Sequence, residues 1–254
     1  VITLEHVTAL YPGGDALALD DVSLHVPAQE TMAILGGSGA GKSTVLKAIL
    51  RLIPLTHGRI LIDGEDCAAI DPVALRRTIG MVFQGSGLFP HMTAGENIGL
   101  VLKLSGGRSA AIRARVEELM HLVGLPPGEY LHRYPHQLSG GQQQRVGVAR
   151  ALAPNPAYLL MDEPFGALDA ITRRALQDEV KALRNHLNVT IVFVTHDVME
   201  AVSLGDRLAV MDRGRLLQSG HVRQLIANPA TPVVSALVGQ PLSQLSTFVQ
   251  DSVT

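Results

Sequence analysis

A chain of 254 residues that is 46% hydrophobic and only 17% charged is long enough to bury a real core and too apolar to be a disordered polypeptide. Lys plus Arg (21) nearly balance Asp plus Glu (23), and aromatics make up only 4%, so neither a basic footprint nor a stacking surface for nucleic acid is expected, and no nucleic-acid partner is assigned. A single cysteine, Cys67, rules out an internal disulfide or a multi-cysteine zinc site and points to a reducing compartment, the cytoplasm.

The opening VITLEHVTALY has no basic region followed by an apolar stretch, so no secretory signal is expected. Val1 to Val26 reads as two strands joined by the turn YPGGDA. Thr31 to Leu35 is a short apolar run, hence a buried strand, and Ser43 to Arg51 has helical spacing. After that helix, RIL and ID with the turn DGED suggest a second antiparallel pair. Ile79 to Phe83 is again strand-like. From about Thr93 to Tyr134 strand signals vanish, and Ala111, Val116, Leu119, Met120, Leu122 and Val123 recur at helical spacing, which predicts a helical insertion. Gln142 to Ala153 is predicted helical, Tyr158 to Met161 strand, Thr172 to Leu187 helical, and both Thr190 to Thr195 and Leu208 to Met211 strand. After Pro229 there is a short helix-like stretch and a polar tail. The most apolar runs, AYLLM and TIVFV, fall far short of the roughly 20 residues a membrane-spanning helix needs. No repeat or flexible linker is visible, so a single interrupted domain is expected.

The segment Gly36-Gly37-Ser38-Gly39-Ala40-Gly41-Lys42-Ser43-Thr44 fits G-x-x-x-x-G-K-[ST], and it lies where that motif must, between a strand and a helix. Glycines let the backbone turn its N–H groups around phosphate oxygens, and the helix N-terminus adds a positive dipole end. Lys42 is expected to reach the β- and γ-phosphates of a nucleotide, and Ser43 to hold Mg²⁺.

Asp162 and Glu163 end a predicted parallel strand, where open α/β sheets bind ligands. Asp162 is expected to orient Mg²⁺, and Glu163 to polarise or deprotonate the attacking water. His196, after the strand TIVFVT, is a candidate contact to the γ-phosphate. Gln84, closing IGMVF, is a candidate ligand of Mg²⁺ or of the attacking water.

Leu138-Ser139-Gly140-Gly141-Gln142 resembles the signature that separates ABC ATPases from other phosphate-loop families. Ser139 and Gln142 also fit a capping box, which explains a helix start but not the paired glycines. The resemblance implies an α/β phosphate-loop NTPase of ABC type, with a mainly parallel core sheet, an antiparallel β edge subdomain and a helical insertion. It assigns residues 1–240 to the ABC ATPase domain, with a helical subdomain at about 93–155, and leaves 241–254 as a tail. It implies ATP and Mg²⁺, and a head-to-tail pair in which Ser139 and Gly141 of one copy close over ATP held by Lys42 of the other. By the same resemblance Asp169 belongs to a loop crossing that interface; read alone it is a helix N-cap. Tyr11 matches the aromatic residue that stacks on adenine, where read alone it is an exposed turn tyrosine. The remaining implied partners are integral membrane permease subunits and, indirectly, a substrate-binding protein, which places the chain at the cytoplasmic face of the cell membrane.

Longer stretches, LRRTIGMVFQ, GLFPHMT, RYPHQLSGGQQQRVGVARALA and MDEPFGALDAITR, resemble the ATP-binding subunits of importers for osmoprotectants such as glycine betaine, choline and carnitine. Gly85-Ser86-Gly87 departs from that subfamily, which more often has a bulkier pair there. Many of its members continue into paired CBS regulatory domains, and the residues after Pro229 are too few to build one. Within the transporter class the alternative cargo is a polar amino acid or another small solute; outside it, a soluble ABC ATPase acting on DNA or the ribosome would usually carry coiled coils or basic arms.

Overall fold

The computed structural model describes residues 1–11, 16–166 and 168–239, with the side chains of 183–187 left aside. Residues 12–15 of the expected turn YPGGDA and the tail 241–254 lie outside the described residues. In chain order the elements are β1 (Ile2–Leu10), β2 (Leu17–Val26), β3 (Thr31–Leu35), α1 (Lys42–Ile49), β4 (His57–Ile62), β5 (Glu65–Asp66), α2 (Pro72–Thr78), β6 (Ile79–Val82), α3 (Ala94–Leu104), α4 (Ser109–Leu122) and α5 (Pro127–Tyr130). They continue with α6 (Gly140–Leu152), β7 (Tyr158–Asp162), α7 (Ala170–Leu187), β8 (Thr190–Thr195), α8 (Val198–Leu204), β9 (Arg207–Asp212), β10 (Arg215–His221), α9 (Val222–Ala227) and α10 (Pro232–Val234). The chain divides into two compact units, one of residues 1–70 and 192–254, the other of residues 71–191.

In the first unit an antiparallel sheet runs in the order β2-β1-β4-β5. Ile2 sits opposite both Val26 and Ile62, and alternate residues of β1 (Ile2, Leu4, Val7, Ala9) are buried, the period-two pattern of a sheet with one covered face. A second sheet carries β10-β9-β3-β8. There β3 pairs parallel with β9, Leu35 opposite Val210, and all five residues of β3 are buried, as expected of a strand covered on both faces. β10 closes that edge antiparallel to β9 through the turn Arg213-Gly214. It was not legible as a strand, because RLLQSGH is half-exposed and carries Gln, Ser and Gly where a buried strand carries Val or Ile.

In the second unit β6 and β7 pair parallel, Ile79 with Tyr158 through Val82 with Met161. Between them in sequence come α3, α4, α5 and α6, with no strand among the described residues of 93–134. Their packing buries Ile98, Val116, Leu119, Met120 and Val146 almost completely, each side chain contributing about 1.5–3 kcal/mol. Thr93 begins α3 with a capping box completed by Glu96, and Asp71 caps α2 ahead of Pro72.

Element ends shifted by a residue or two from expectation. The strand over Ile79–Phe83 stops at Val82 and leaves Phe83 exposed, and the helix after the signature begins at Gly140 rather than Gln142 because Ser139 caps it. α2 and α8 were not anticipated, being too short for a periodic signal.

Candidate functional site

In the first unit, β3 runs into the turn Gly36–Gly41 and that turn into α1. A side chain at Gly36 would collide with the backbone oxygen of Met211 in β9, so only glycine lets the loop leave the sheet there. Gly39 (φ 76°) and Gly41 (φ 94°) are left-handed, and a Cβ at Gly41 would lie 2.7 Å from the Ala18 carbonyl oxygen. A Cβ at Gly37 or Gly39 would meet nothing, so the free side of the loop is bare backbone facing open space. Lys42 folds back over this loop: its side chain is 6% exposed and its Nζ donates to the carbonyls of Gly36 (2.9 Å) and Gly37 (2.8 Å). The cation is thus held at the loop, ahead of the first turn of α1, which places a charge and a helix N-terminus on the same side.

Tyr11, 40% exposed, reaches the same helix. Its hydroxyl lies 3.1 Å from Thr44 Oγ1, and the Lys47 ammonium sits 5.4 Å from its ring centroid. His196 follows β8 on an exposed turn. That turn is built from its neighbours: Asp197 caps α8 by accepting from Met199 N–H at 2.8 Å, and the Thr195 hydroxyl donates to the buried Glu200 carboxylate at 2.6 Å.

In the second unit the parallel register of β6 and β7 brings Gln84 and Glu163 together. Each stands two residues beyond a paired position, Val82 and Met161, and Gln84 Nε2 donates to Glu163 Oε2 at 3.4 Å. Asp162 is the last residue of β7. Glu163 takes a left-handed backbone, φ 42°, a conformation that costs a non-glycine residue on the order of 1–3 kcal/mol.

Ser139 begins α6 with a reciprocal box: its Oγ accepts from Gln142 N–H at 3.3 Å, and Gln142 Oε1 accepts from Ser139 N–H at 2.9 Å. Leu138 is buried beside it, while Gly140 is open. At Gly141 a side chain would collide with Thr172 Cγ2 in the first turn of α7. That same turn is capped by Asp169, which accepts from Ile171 N–H (3.1 Å) and Thr172 N–H (3.0 Å). Hydrogen bonds from the Thr172 side chain and backbone hold the Asp169 carboxyl below its usual range. Asp169 and the signature glycines are therefore linked through Thr172, which no local motif singles out. Lys47 was missed for the same reason: its partner, Tyr11, lies 36 residues away.

Among the described residues no three His, Cys, Asp or Glu side chains cluster to hold a metal ion. A bare backbone loop with left-handed glycines and a fastened lysine fits a polyphosphate.

This is a phosphate-loop nucleotide-binding cassette carrying a second glycine-opened helix, and the comparisons agree: residues 19–166 match the family model described as ABC transporter, and the chain belongs to that family. It is 50% identical over 240 residues to the glycine betaine/carnitine/choline transport ATP-binding protein OpuCA of Bacillus subtilis (strain 168), covering 94% of this chain and 63% of that protein. The osmoprotectant import ATP-binding protein OsmV of Salmonella typhimurium is 47% identical, covering 94% of this chain and 64% of its own length, so the chain spans less than two thirds of both. The glycine betaine uptake system ATP-binding protein YehX of Escherichia coli (strain K12) is 45% identical, with 77% of its length covered. Among solved structures, the dimeric post-hydrolysis state of the ATP-binding cassette MJ0796 bound to ADP and phosphate superposes with a TM-score of 0.79 at 36% identity, over 87% of this chain and 98% of that one. The expected ABC ATPase fold is thereby established.

Proposed function

We propose that this chain is the ATP-hydrolysing subunit of an ABC importer for osmoprotectants such as glycine betaine or choline. The observation that carries the ATPase reading is Lys42, fastened by two hydrogen bonds across a loop whose outer side is bare backbone. Lys42 binds the β- and γ-phosphates, the N–H groups of Gly36–Thr44 line the polyphosphate, and the Tyr11 ring, with Lys47 against it, offers adenine a stacking surface. Ser43, Asp162 and Gln84 are the residues that would hold Mg²⁺, which when bound offsets charge on the phosphates. Glu163, oriented by Gln84, takes a proton from water as its oxygen bonds to the γ-phosphorus; the bond from that phosphorus to the bridging oxygen breaks, and ADP and phosphate leave. His196 steadies the γ-phosphate oxygens.

Two helices open on glycine-rich turns, α1 and α6, and one γ-phosphate has use for only one of them from a given chain. The active unit is accordingly a head-to-tail pair, with the N–H groups following Ser139 of one copy directed at the nucleotide of the other; that the MJ0796 cassette is dimeric supports a pair. Membrane attachment is through a permease, which the transport names of OpuCA and OsmV support; no helix among the described residues is long and apolar enough to cross a bilayer. That arrangement puts the chain at the cytoplasmic membrane face, with a substrate-binding protein delivering cargo on the other side. The names of OpuCA, OsmV and YehX support the cargo. Reconstitution with the cognate permease and binding protein in vesicles tests it: MgATP-driven uptake of labelled betaine or choline is expected, and uptake of a polar amino acid alone overturns the cargo while leaving the ATPase intact.

A further inference from the structure

The turn that follows Gln84 is held from an unexpected direction. Gly85 (φ 74°), Ser86 (φ 66°) and Gly87 (φ 54°) are three successive left-handed residues, and Ser86 is buried. Such a run does not persist without restraint from its surroundings. The restraint comes from α6. Arg150, only 7% exposed, sends Nη1 to the Gly87 carbonyl at 2.8 Å and Nη2 to the Ser86 carbonyl at 3.1 Å. One turn into the same helix, Gln143 accepts the Ser86 hydroxyl at 3.4 Å and donates its own amide to the carbonyls of Pro135 (3.0 Å) and Leu138 (3.2 Å), so it touches both this turn and the residue before Ser139. Gly147 lies between them, its missing side chain leaving room for the Ser86 carbonyl, 3.3 Å from where a Cβ would stand.

The guanidinium of Arg150 forms no ion pair among the described residues, and burial lowers its pKa. An uncompensated buried charge is expensive, so packing alone would favour an apolar side chain. What an arginine adds is a rigid fork that two successive carbonyls can share, which neither lysine nor an apolar residue supplies. We propose that Arg150 is a positioning residue for Gln84, acting through the Ser86 and Gly87 carbonyls, and that α6 thereby carries the Gln84 turn and Ser139-Gly140-Gly141 as a single body. Arg150 and Gly141 are nine residues apart on one continuous helix, about 14 Å, so a displacement of one end is delivered to the other. Gln84 meets Glu163 at 3.4 Å, a long bond that a small shift of the turn would break.

The catalytic part of this inference rests on the ATPase reading, and the test separates the two. Turnover and KM for MgATP are measured for the unaltered chain, Arg150→Lys, Gln84→Ala and the double variant, with Gln143→Met as a second probe of the same tie in case the lysine variant folds poorly. Arg150→Lys is expected to lower kcat about tenfold with KM within about twofold, and to change kcat less than about twofold once Gln84 is alanine. Amide exchange at Gly85–Gly87, which needs no hydrolysis, is expected to speed up in Arg150→Lys and Gln143→Met. An equal loss of kcat in both backgrounds would make Arg150 a general structural residue, and unchanged exchange at Gly85–Gly87 would overturn the tie itself. Absence of hydrolysis by the unaltered chain, with exchange responding as expected, would instead remove the ATPase reading and keep the mechanical link.

Discussion

Gln84 Nε2 meets Glu163 Oε2 at 3.4 Å because the two residues follow paired positions on neighbouring parallel strands, Val82 and Met161. That contact fixes the side chain of the proposed catalytic base against its neighbouring strand. Glu163→Gln keeps the shape and removes the proposed base, so kcat is expected to fall by roughly 10² to 10⁴ with nucleotide affinity unchanged. Steady-state phosphate release together with titration of a fluorescent nucleotide checks both halves, and near-normal turnover would take Glu163 out of that role.

The proposed pair is tested in the same variant. In Glu163→Gln, MgATP is expected to convert monomer to dimer by light scattering, and a second change, Ser139→Arg, to prevent the conversion by putting a long cation where the other copy's nucleotide must approach. A dimer indifferent to both ATP and Ser139 is incompatible with the head-to-tail arrangement.

The contact between Gly141 and Thr172 predicts a rescue. Gly141→Ala drives a methyl into Thr172 Cγ2 and is expected to destabilise the chain by about 1–3 kcal/mol. Thr172→Ser deletes that carbon while keeping a hydroxyl near Asp169, so the double variant should recover most of the loss in thermal melting. Simple additivity of the two changes would show that the helices do not meet there.

Cys67 is buried, and desolvation, with the Asp66 charge adding to it, pushes its thiol up to about 11. The folded value lies above the unfolded one, so the stability contributed by this group is complete below the unfolded pKa and is lost as pH rises through the folded pKa. Melting temperature should therefore fall between about pH 9 and 11, and less so in Cys67→Ala. At pH 8 the native thiol should react with a disulfide reagent at least about 100-fold more slowly than in denaturant. Rapid native modification would contradict the burial.

What could be read in advance was chemistry that is local in the chain. The strand-to-helix turn Gly36–Gly41, the capping box of Ser139 and Gln142, and the Asp169 cap each involve residues within a few positions, and each has the local structure expected of it. The reasons behind the glycines were not readable. Gly36 is required by a carbonyl of β9 and Gly41 by one of β2, and no pattern within the loop reveals a neighbour from another strand. The same distance hid the Tyr11 to Thr44 contact and the grip of Arg150 on Ser86 and Gly87, 63 or 64 residues away. Strand β10 escaped for a different cause: a half-exposed edge needs few β-branched residues, so its composition resembles a loop.

On the proposed role of Glu163, its left-handed backbone sets stability against activity at one position. Glycine adopts that conformation freely, so a library screened for heat resistance alone should accumulate Gly, and to a lesser extent Asn, at residue 163, each of which lacks the carboxylate. With Glu163 as the proposed base, stability-guided redesign of this chain would thus be drawn toward proteins that melt later and bind nucleotide normally yet do not turn over, and residue 163 has to be held constant in any such effort.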